Sequence, residues 1–402
     1  MNIRLTLALA ILVTYFSSAI HADDRADISA DNANIHLRGD LNGLKRKLTV
    51  DKQAHIGFIG GSITENGGGH TAMVPAWFRE NYPDVKFTFT NAGISSTCST
   101  SGAFRLESDL LAKGKLDLLV VEFAVNDDQD AGHSHENCVR GMEGIIRHLK
   151  QHNPAAGIVM VHFVNPGMLA ALQAGKTPTS IAAHHKVAAH YSVTEVNLAA
   201  EIAASSKSGK YAWSDYGGTH PGKFGYQIAS NMITTAIESQ LNVDAKTLAN
   251  IPLPKPIDKN NYGSGQFIPA SKAQLTGDWK QGKVTRELLP VGGIRGRFSS
   301  YNLLRSNTPG DTLKLEFTGN TIGAFILAGP DTGIVSSKVD DKSPQSHDLF
   351  HRFSRGLNYP RSVIFASDLG AGKHTLELTV QQKTNPGSKG NSINILFFEV
   401  NE

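Results

Sequence analysis

The sequence has few cysteines, few aromatic residues and little net charge. Of its 402 residues only 2 are cysteine, 7% are aromatic and 19% are charged, and the formal net charge at pH 7 is +3. So small a charge without any Lys/Arg-rich run argues against a nucleic-acid-binding protein. The two cysteines form no CxxC motif, and no paired His/Cys spacing indicates zinc, so we expect no metal and no cofactor.

Long apolar runs are also absent, except near the N terminus. There Arg4 precedes the apolar residues 5–16, LTLALAILVTYF, and the small residues of SSAIHA follow. This pattern predicts a signal peptide over residues 1–22, cleaved after Ala22, because the apolar stretch is too short to span a bilayer with ease. We therefore expect a secreted or periplasmic protein without stable membrane insertion. An uncleaved anchor is the alternative.

The two cysteines, Cys98 and Cys138, follow neighbouring predicted strands. In an exported protein such a pair is a candidate disulfide, because disulfides persist in oxidising compartments. The alternative is two buried free thiols.

Residues 40–245 alternate between short apolar runs and helical patterns. Strands are predicted at 55–60, 85–90, 116–123, 157–164 and 191–198, and helices near 71–81, 103–113, 137–151, 179–190 and 223–240. Runs such as LLVVEF are apolar without alternation, as expected of strands buried on both faces of a parallel sheet. This order predicts a doubly wound α/β fold.

The pattern changes after residue 245. A segment rich in proline, glycine and asparagine is followed by alternating apolar runs separated by glycine turns, which predict an antiparallel β-sandwich or jelly roll. The predicted divisions are a signal peptide (1–22), an N-terminal lead-in (23–45), an α/β domain (46–245), a linker (246–265) and a β-sandwich domain (266–402).

Polar residues and glycines follow the predicted strands of the α/β domain. Ser62 comes after the first strand, Gly93 after the second and Asn126 after the third, while Asp215 and His220 precede the last helix. Ligands of an open parallel sheet bind beyond the carboxyl ends of its strands, so these groups are expected at one edge.

This set contains the groups that acyl transfer requires. His220 would act as the base that activates Ser62, and Asp215 would orient the imidazole. The backbone N–H groups of Ser62 and Gly93 and the side-chain amide of Asn126 would stabilise the oxyanion. The sequence thus predicts a serine nucleophile rather than a serine in a simple turn.

Four motifs give the chain a family resemblance. GGSIT, NAGIS, VEFAVND and DYGGTHPG resemble the serine, glycine, asparagine and Asp/His blocks of SGNH hydrolases of the GDSL esterase superfamily, over roughly residues 50–240. The resemblance implies a flavodoxin-like three-layer sandwich with five parallel strands. It also implies that Ser62, Gly93, Asn126 and His220 carry the four functions for which the family is named.

Three positions depart from the family pattern. Gly61 stands where an aspartate is usual, a variant that resembles exported carbohydrate O-acetyl esterases, and Ala124 stands where glycine is common. Asp215 and His220 are five residues apart instead of three. We expect the glycines between them to fold the longer loop back; otherwise a backbone carbonyl would orient His220.

The loops beside these motifs are polar. Glu65, Asp127, His133 and Trp213 are candidate substrate-binding residues. Residues 126–137 contain two histidines and several carboxylates, but no third metal ligand is defined by spacing, so we predict a solvated loop.

These features predict an esterase that removes short acyl groups, especially acetyl, from an acylated carbohydrate. One alternative is a lipase-like enzyme for longer chains, whose pocket would be more apolar. Another is a glycan-binding protein with an inactive hydrolase domain. Acyl transfer to a sugar would use the same nucleophile, and the sequence does not separate it from hydrolysis.

Overall fold

The computed structural model describes residues 31–242 and 252–402. The predicted signal peptide lies outside the described residues. Within the described ranges no helix is long and apolar enough to cross a membrane.

The first sheet has six strands. They are β1 (Ile35–His36), β2 (Gln53–Gly60), β3 (Lys86–Gly93), β4 (Leu118–Val121), β5 (Gly157–Val161) and β6 (Thr194–Val196). Their order is β1-β6-β5-β4-β2-β3; strands β2 to β6 are mutually parallel, and the short β1 pairs antiparallel with β6. The five parallel strands have the flavodoxin-like order 2-1-3-4-5, which confirms the predicted fold.

Helices cover both faces of this sheet. They are α1 (Asn42–Arg46), α2 (Ser62–Glu65), α3 (His70–Asn81), α4 (Ser99–Asp109), α5 (His135–His152), α6 (Pro166–Gln173), α7 (Thr179–His190), α8 (Leu198–Ser208), α9 (Trp213–Tyr216) and α10 (Lys223–Leu241). Residues of α3, α8 and α10 pack in one apolar core, and residues of α4, α5 and α7 pack in another. All four residues of β4 are buried because each faces one of these cores. The strand predicted at 191–198 is shorter, since α7 extends to His190 and α8 begins at Leu198.

The second domain consists of two antiparallel sheets. Its strands are β7 (Gly265–Pro269), β8 (Gln274–Thr276), β9 (Lys280–Lys283), β10 (Asn302–Ser306), β11 (Thr312–Thr318), β12 (Thr321–Ala328), β13 (Ile334–Val339), β14 (Gln345–Asp348), β15 (Tyr359–Ala366), β16 (Lys373–Val380) and β17 (Ile393–Asn401). One sheet has the order β15-β12-β17-β10-β9, and β7 also pairs with β17. The other sheet has the order β14-β13-β16-β11-β8. Apolar residues of both sheets share one core, as in a β-sandwich.

The segment between the domains packs against the α/β domain. Tyr262 is buried, and its ring lies 4.9 Å from that of Phe104, centroid to centroid. Arg140 of α5 donates to Asp258 of this segment at 2.6 Å and to Asp368 of the sandwich at 2.8 Å. The described part of the predicted linker therefore contacts its neighbours closely and helps to join the two domains.

Candidate active site

Ser62 lies at the carboxyl edge of the first sheet. Strand β2 ends at Gly60, and Ser62 begins the short helix α2. Its Oγ lies 2.7 Å from Nε2 of His220, a residue 158 positions later in the chain. A hydroxyl within hydrogen-bond distance of an imidazole is the arrangement of an activated serine nucleophile.

A compact turn brings His220 to this position. Gly217 and Gly218 have φ angles of 102° and 97°, in the left-handed region that favours glycine. The turn is closed by a hydrogen bond of 2.8 Å from the backbone nitrogen of Gly222 to the carbonyl of Tyr216. The two glycines thus fold back the loop that separates Asp215 from His220.

Asp215 lies on the short helix α9, before this turn. Its Oδ2 accepts a hydrogen bond of 2.9 Å from the backbone nitrogen of Ala212, so the carboxylate caps the start of the helix.

The two candidate oxyanion residues flank Ser62. The parallel register pairs Gly93 with Gly60, so Gly93 lies directly beside the strand end that leads to the serine. The buried amide of Asn126 lies against Gly61, where a Cβ added to Gly61 would be 2.1 Å from Asn126 Oδ1. The usual aspartate of the first motif would therefore collide with Asn126 unless that side chain moved.

Both oxyanion donors have acceptors within the protein. The Gly93 backbone nitrogen donates to Asn91 Oδ1 at 2.8 Å, and Asn126 Nδ2 donates to Asp130 Oδ2 at 2.5 Å. A substrate oxygen would have to share or replace these acceptors.

Glu122, directly after β4, binds the residues on both sides of Ser62. Its side chain is 1% exposed, and its Oε1 accepts hydrogen bonds from Gly61 N at 2.9 Å and from Thr64 Oγ1 at 2.6 Å. Burial raises the pKa of Glu122 to about 7, although these hydrogen bonds oppose the shift. The carboxyl group holds the turn before Ser62 and the helix after it.

Arg105 of α4 is buried beneath the same strand ends. Its guanidinium donates to the carbonyl of Gly60 at 3.0 Å and to that of Ala92 at 2.5 Å. It therefore ties the end of β2, which leads to Ser62, to the end of β3, which carries Gly93.

The β-sandwich reaches the edge of this site. Arg297 donates to the Gly93 carbonyl at 2.7 Å and also bonds to Glu65. Burial acts to raise the pKa of Glu65, but hydrogen bonds from Ser95 and the Arg297 guanidinium lower it below its usual range. Arg295 donates to the Ser95 carbonyl at 2.8 Å. Glu65, a predicted substrate-binding residue, thus bonds to the second domain.

A second set of interdomain contacts surrounds Asp130. His351 Nε2 lies 2.9 Å from the Asp130 carbonyl oxygen, and Tyr359 hydroxyl donates to the Ser96 carbonyl at 3.2 Å. Both domains line a cavity of about 410 Å³ here, which includes Asp130, Tyr359 and Arg361. The second domain therefore contacts Asp130, the residue that accepts a hydrogen bond from Asn126.

The other predicted binding residues have different surroundings. Asp127 is fully buried, with its oxygens bonded to Ser99 and His184, so it has no exposed surface to offer a substrate. The His133 ring lies against Asp127. Trp213 is half-buried, and its ring lies 5.3 Å from that of Tyr216, centroid to centroid.

The candidate disulfide is not present in the structure. Cys98 and Cys138 are buried free thiols. The Cys98 sulfur lies within 4.8 Å of a His133 ring nitrogen and of an Asp127 oxygen.

Sequence reasoning missed several residues that hold the site together. The sequence does mark Glu122, because this residue places a charge within the apolar run LLVVEF. It does not mark Arg297, which reaches Gly93 only through the packing of the two domains. It does not mark Asp130 either, which reaches Asn126 only through the turn after β4.

The four sequence motifs lie within a segment that matches a known protein family. Residues 58–228 match the model of the GDSL-like lipase/acylhydrolase family. No curated protein sequence matches the chain.

Two solved structures share the two-domain architecture. One is a two-domain esterase (CEX) active on acetylated mannans, co-crystallised with mannopentaose, with 20% identity, a TM-score of 0.72, and coverage of 91% of this chain and 96% of that one. The other is also a two-domain esterase (CEX) active on acetylated mannans, with 21% identity, a TM-score of 0.73 and the same coverages. At these identities the similarity establishes the fold. The motifs, the sheet order and the family match together show that residues 58–228 form a domain of the GDSL-like lipase/acylhydrolase family.

Proposed function

We propose that the protein is a serine esterase that hydrolyses short acyl esters, chiefly acetyl esters of a polysaccharide or oligosaccharide. The observation that carries the proposal is the 2.7 Å contact between Ser62 Oγ and His220 Nε2. A serine hydroxyl is a weak nucleophile at its ordinary pKa, so this contact supplies the required base.

The reaction proceeds through an acyl-enzyme. His220 Nε2 takes the proton of Ser62 as Oγ attacks the ester carbonyl carbon. The tetrahedral intermediate collapses, the C–O bond to the sugar breaks, and His220 returns the proton to the leaving sugar oxygen. Water then attacks the acyl-enzyme by the same route and releases the carboxylic acid.

The oxyanion is stabilised by Gly93, Asn126 and the backbone N–H of Ser62. Asn126 Nδ2 donates one hydrogen to Asp130 and keeps its second hydrogen for the oxyanion, whereas the single hydrogen of Gly93 N must be shared between Asn91 and the oxyanion. A donor of an oxyanion hole contributes roughly 3 kcal/mol of transition-state stabilisation. Asp215 completes the triad by holding the imidazole of His220.

The substrate class rests on three arguments. The site is bordered by polar side chains, among them Glu65 and Arg297, which suit a hydroxylated substrate better than a long acyl chain. The β-sandwich adjoins the site at Gly93. Two structures with this architecture are esterases active on acetylated mannans. We infer that export brings the mature chain to such a polysaccharide.

The first test is hydrolysis of 4-nitrophenyl acetate, butyrate and octanoate by the purified protein. Ser62→Ala should abolish activity, whereas Ser108→Ala, which alters an exposed serine on α4, should not change it. Rates should fall with chain length. A higher rate on octanoate would favour a lipase-like enzyme.

The second test measures acetate release from acetylated mannan and xylan. Release that depends on Ser62 supports the proposal. Binding of either glycan without release, together with background rates on all three esters, would favour a glycan-binding protein. Sugar acetylation in place of acetate release would identify an acyltransferase.

A further inference from the structure

A buried cluster of sulfur, imidazole and carboxylate groups lies beside the candidate active site and has no part in the ester chemistry. Its members are Cys98, Asp127, His133, Cys138 and His184. They come from the start of α4, the turn after β4, the loop before α5, α5 itself and α7.

The candidate ligand atoms converge on Asp127. One atom each of Cys98, Asp127 and His133 lie within 4.8 Å of one another, and so do one atom each of Asp127, Cys138 and His184. The Asp127 carboxylate belongs to both groups. Each sulfur thus lies within 4.8 Å of an Asp127 oxygen and of one histidine nitrogen.

Two ring nitrogens of this cluster are buried without a hydrogen bond, Nδ1 of His184 and Nδ1 of His133. The Nδ1 of His133 lies 3.5 Å from Asp127 Oδ1. A buried polar atom without a hydrogen bond is costly and calls for an explanation. A cation between the His133 imidazole, the carboxylate and the sulfurs would satisfy His133 Nδ1.

Neighbouring groups already orient the carboxylate. His184 Nε2 lies 2.9 Å from Asp127 Oδ2, Ser99 Oγ donates to the same oxygen at 2.7 Å, and Ser99 N donates to Oδ1 at 2.8 Å. Metal-binding carboxylates are commonly held by such hydrogen bonds.

We propose that Zn²⁺ binds the group of Cys98, His133 and Asp127 and draws in the Cys138 thiolate as its fourth ligand to form a structural site, with His184 as the residue that positions Asp127. Two thiolates, an imidazole and a carboxylate are the ligand types that zinc takes in closed four-coordinate sites, and soft sulfur disfavours Mg²⁺ and Ca²⁺. Both thiols lose their protons on binding, so affinity rises with pH.

A second group consists of His36, His185 and Glu195, and one atom of each lies within 4.8 Å of the others. There Arg38 bonds to the Glu195 carboxylate at 2.7 Å, and its positive charge opposes a cation. The cysteine-containing cluster is therefore the stronger candidate.

The zinc site would brace the oxyanion loop. Asp127 follows Asn126 directly, while Cys98 precedes α4 and Cys138 lies on α5. A metal bonded to all three would fix the turn that carries Asn126 to two helices. This proposal does not depend on the esterase activity.

The test is metal binding by the full chain, purified under reducing conditions and freed of metal with a chelator. Titration with Co²⁺ should saturate at one ion per chain and give the charge-transfer absorption of thiolate–cobalt bonds, and Zn²⁺ should displace the Co²⁺. Cys98→Ser and Cys138→Ser should each weaken this absorption and the binding. His135→Gln, which changes an exposed histidine at the start of α5, should leave both unchanged.

Two further results decide the proposal. His184→Gln should weaken Zn²⁺ binding by about 10- to 100-fold and retain the thiolate–cobalt absorption, because His184 acts through Asp127. Folded, reduced wild-type protein that fails to bind Co²⁺ or Zn²⁺ stoichiometrically would overturn the proposal. So would a native Cys98–Cys138 disulfide, found by counting free thiols after denaturation of protein purified without reductant.

Discussion

Arg297 Nη1 donates a hydrogen bond of 2.7 Å to the carbonyl oxygen of Gly93. The donor belongs to the β-sandwich, and the acceptor belongs to the candidate oxyanion residue of the α/β domain. The same guanidinium bonds to Glu65. The side chain of Arg297 therefore connects the second domain to the candidate oxyanion residue Gly93.

Arg297→Met should lower kcat/KM by about 10- to 100-fold, because small displacements of catalytic groups are costly to the rate. The free energy of unfolding should change by less than about 1 kcal/mol, since both partners of the ion pair are partly exposed. The measurements are ester hydrolysis and urea unfolding.

Lys314→Met is the control for this variant. It removes a surface ion pair with Glu377 that lies within the sandwich. Equal activity of Arg297→Met and the wild type would show that the Arg297 contact does not contribute to catalysis.

Gly61→Ala should lower kcat by about 100-fold or more, although alanine is small. Its Cβ would lie 2.1 Å from Asn126 Oδ1, so the amide must move away from the oxyanion position. Gly67→Ala is the matched control, because nothing lies within 4 Å of the Cβ added there. Activity assays and a crystal structure of the Gly61 variant would check the displacement. Full activity would mean that Asn126 is not needed at its present position.

Glu122→Gln should alter how stability depends on pH. Burial raises the pKa of Glu122 to about 7, above its usual value of 4.5, so between these values the folded state binds the proton more tightly than the unfolded state. The stabilisation is complete below pH 4.5 and is lost as pH rises through 7. It amounts to about 3 kcal/mol.

Urea unfolding of both proteins between pH 5 and 8 tests this. Glutamine does not titrate, so the wild type should lose stability relative to Glu122→Gln as pH rises. Parallel profiles for the two proteins would contradict the raised pKa.

Asp215→Asn should lower kcat by about 10³- to 10⁴-fold if the carboxylate orients His220, as we propose. The asparagine oxygen can still accept the hydrogen bond from Ala212 N that caps α9. Helix stability is thereby preserved, and steady-state kinetics report on the imidazole. Asp215→Ala should lose the cap as well, at a cost of about 1 kcal/mol. Near wild-type activity in the asparagine variant would assign Asp215 to capping alone.

Predictions of the fold succeeded where the signal was local. LLVVEF predicted a strand buried on both faces, and β4 is such a strand. The helices α6 and α8 were not predicted, and the strand at 191–198 was predicted too long, because neighbouring elements decide where a short apolar run stops.

The candidate site shows the same division. Sequence motifs paired Ser62, which follows the first predicted strand, with His220, which precedes the last predicted helix. The structure places Ser62 Oγ 2.7 Å from His220 Nε2. The two cysteines were a candidate disulfide with buried free thiols as the alternative, and the structure has two buried free thiols. Loop spacing alone did not reveal this arrangement.

The sequence by itself determined the order of strands and helices and the motifs that follow them, because periodicity and turn residues act over a few positions. It thereby placed Ser62, Gly93 and Asn126 at one sheet edge, where parallel strands end together. Only the tertiary structure decided that Asn126 fills the space beside Gly61, that Arg297 reaches Gly93, and that Cys98 lies beside His133 and Asp127. These relationships depend on the packing of segments distant in the chain, and no local pattern of residues encodes that packing.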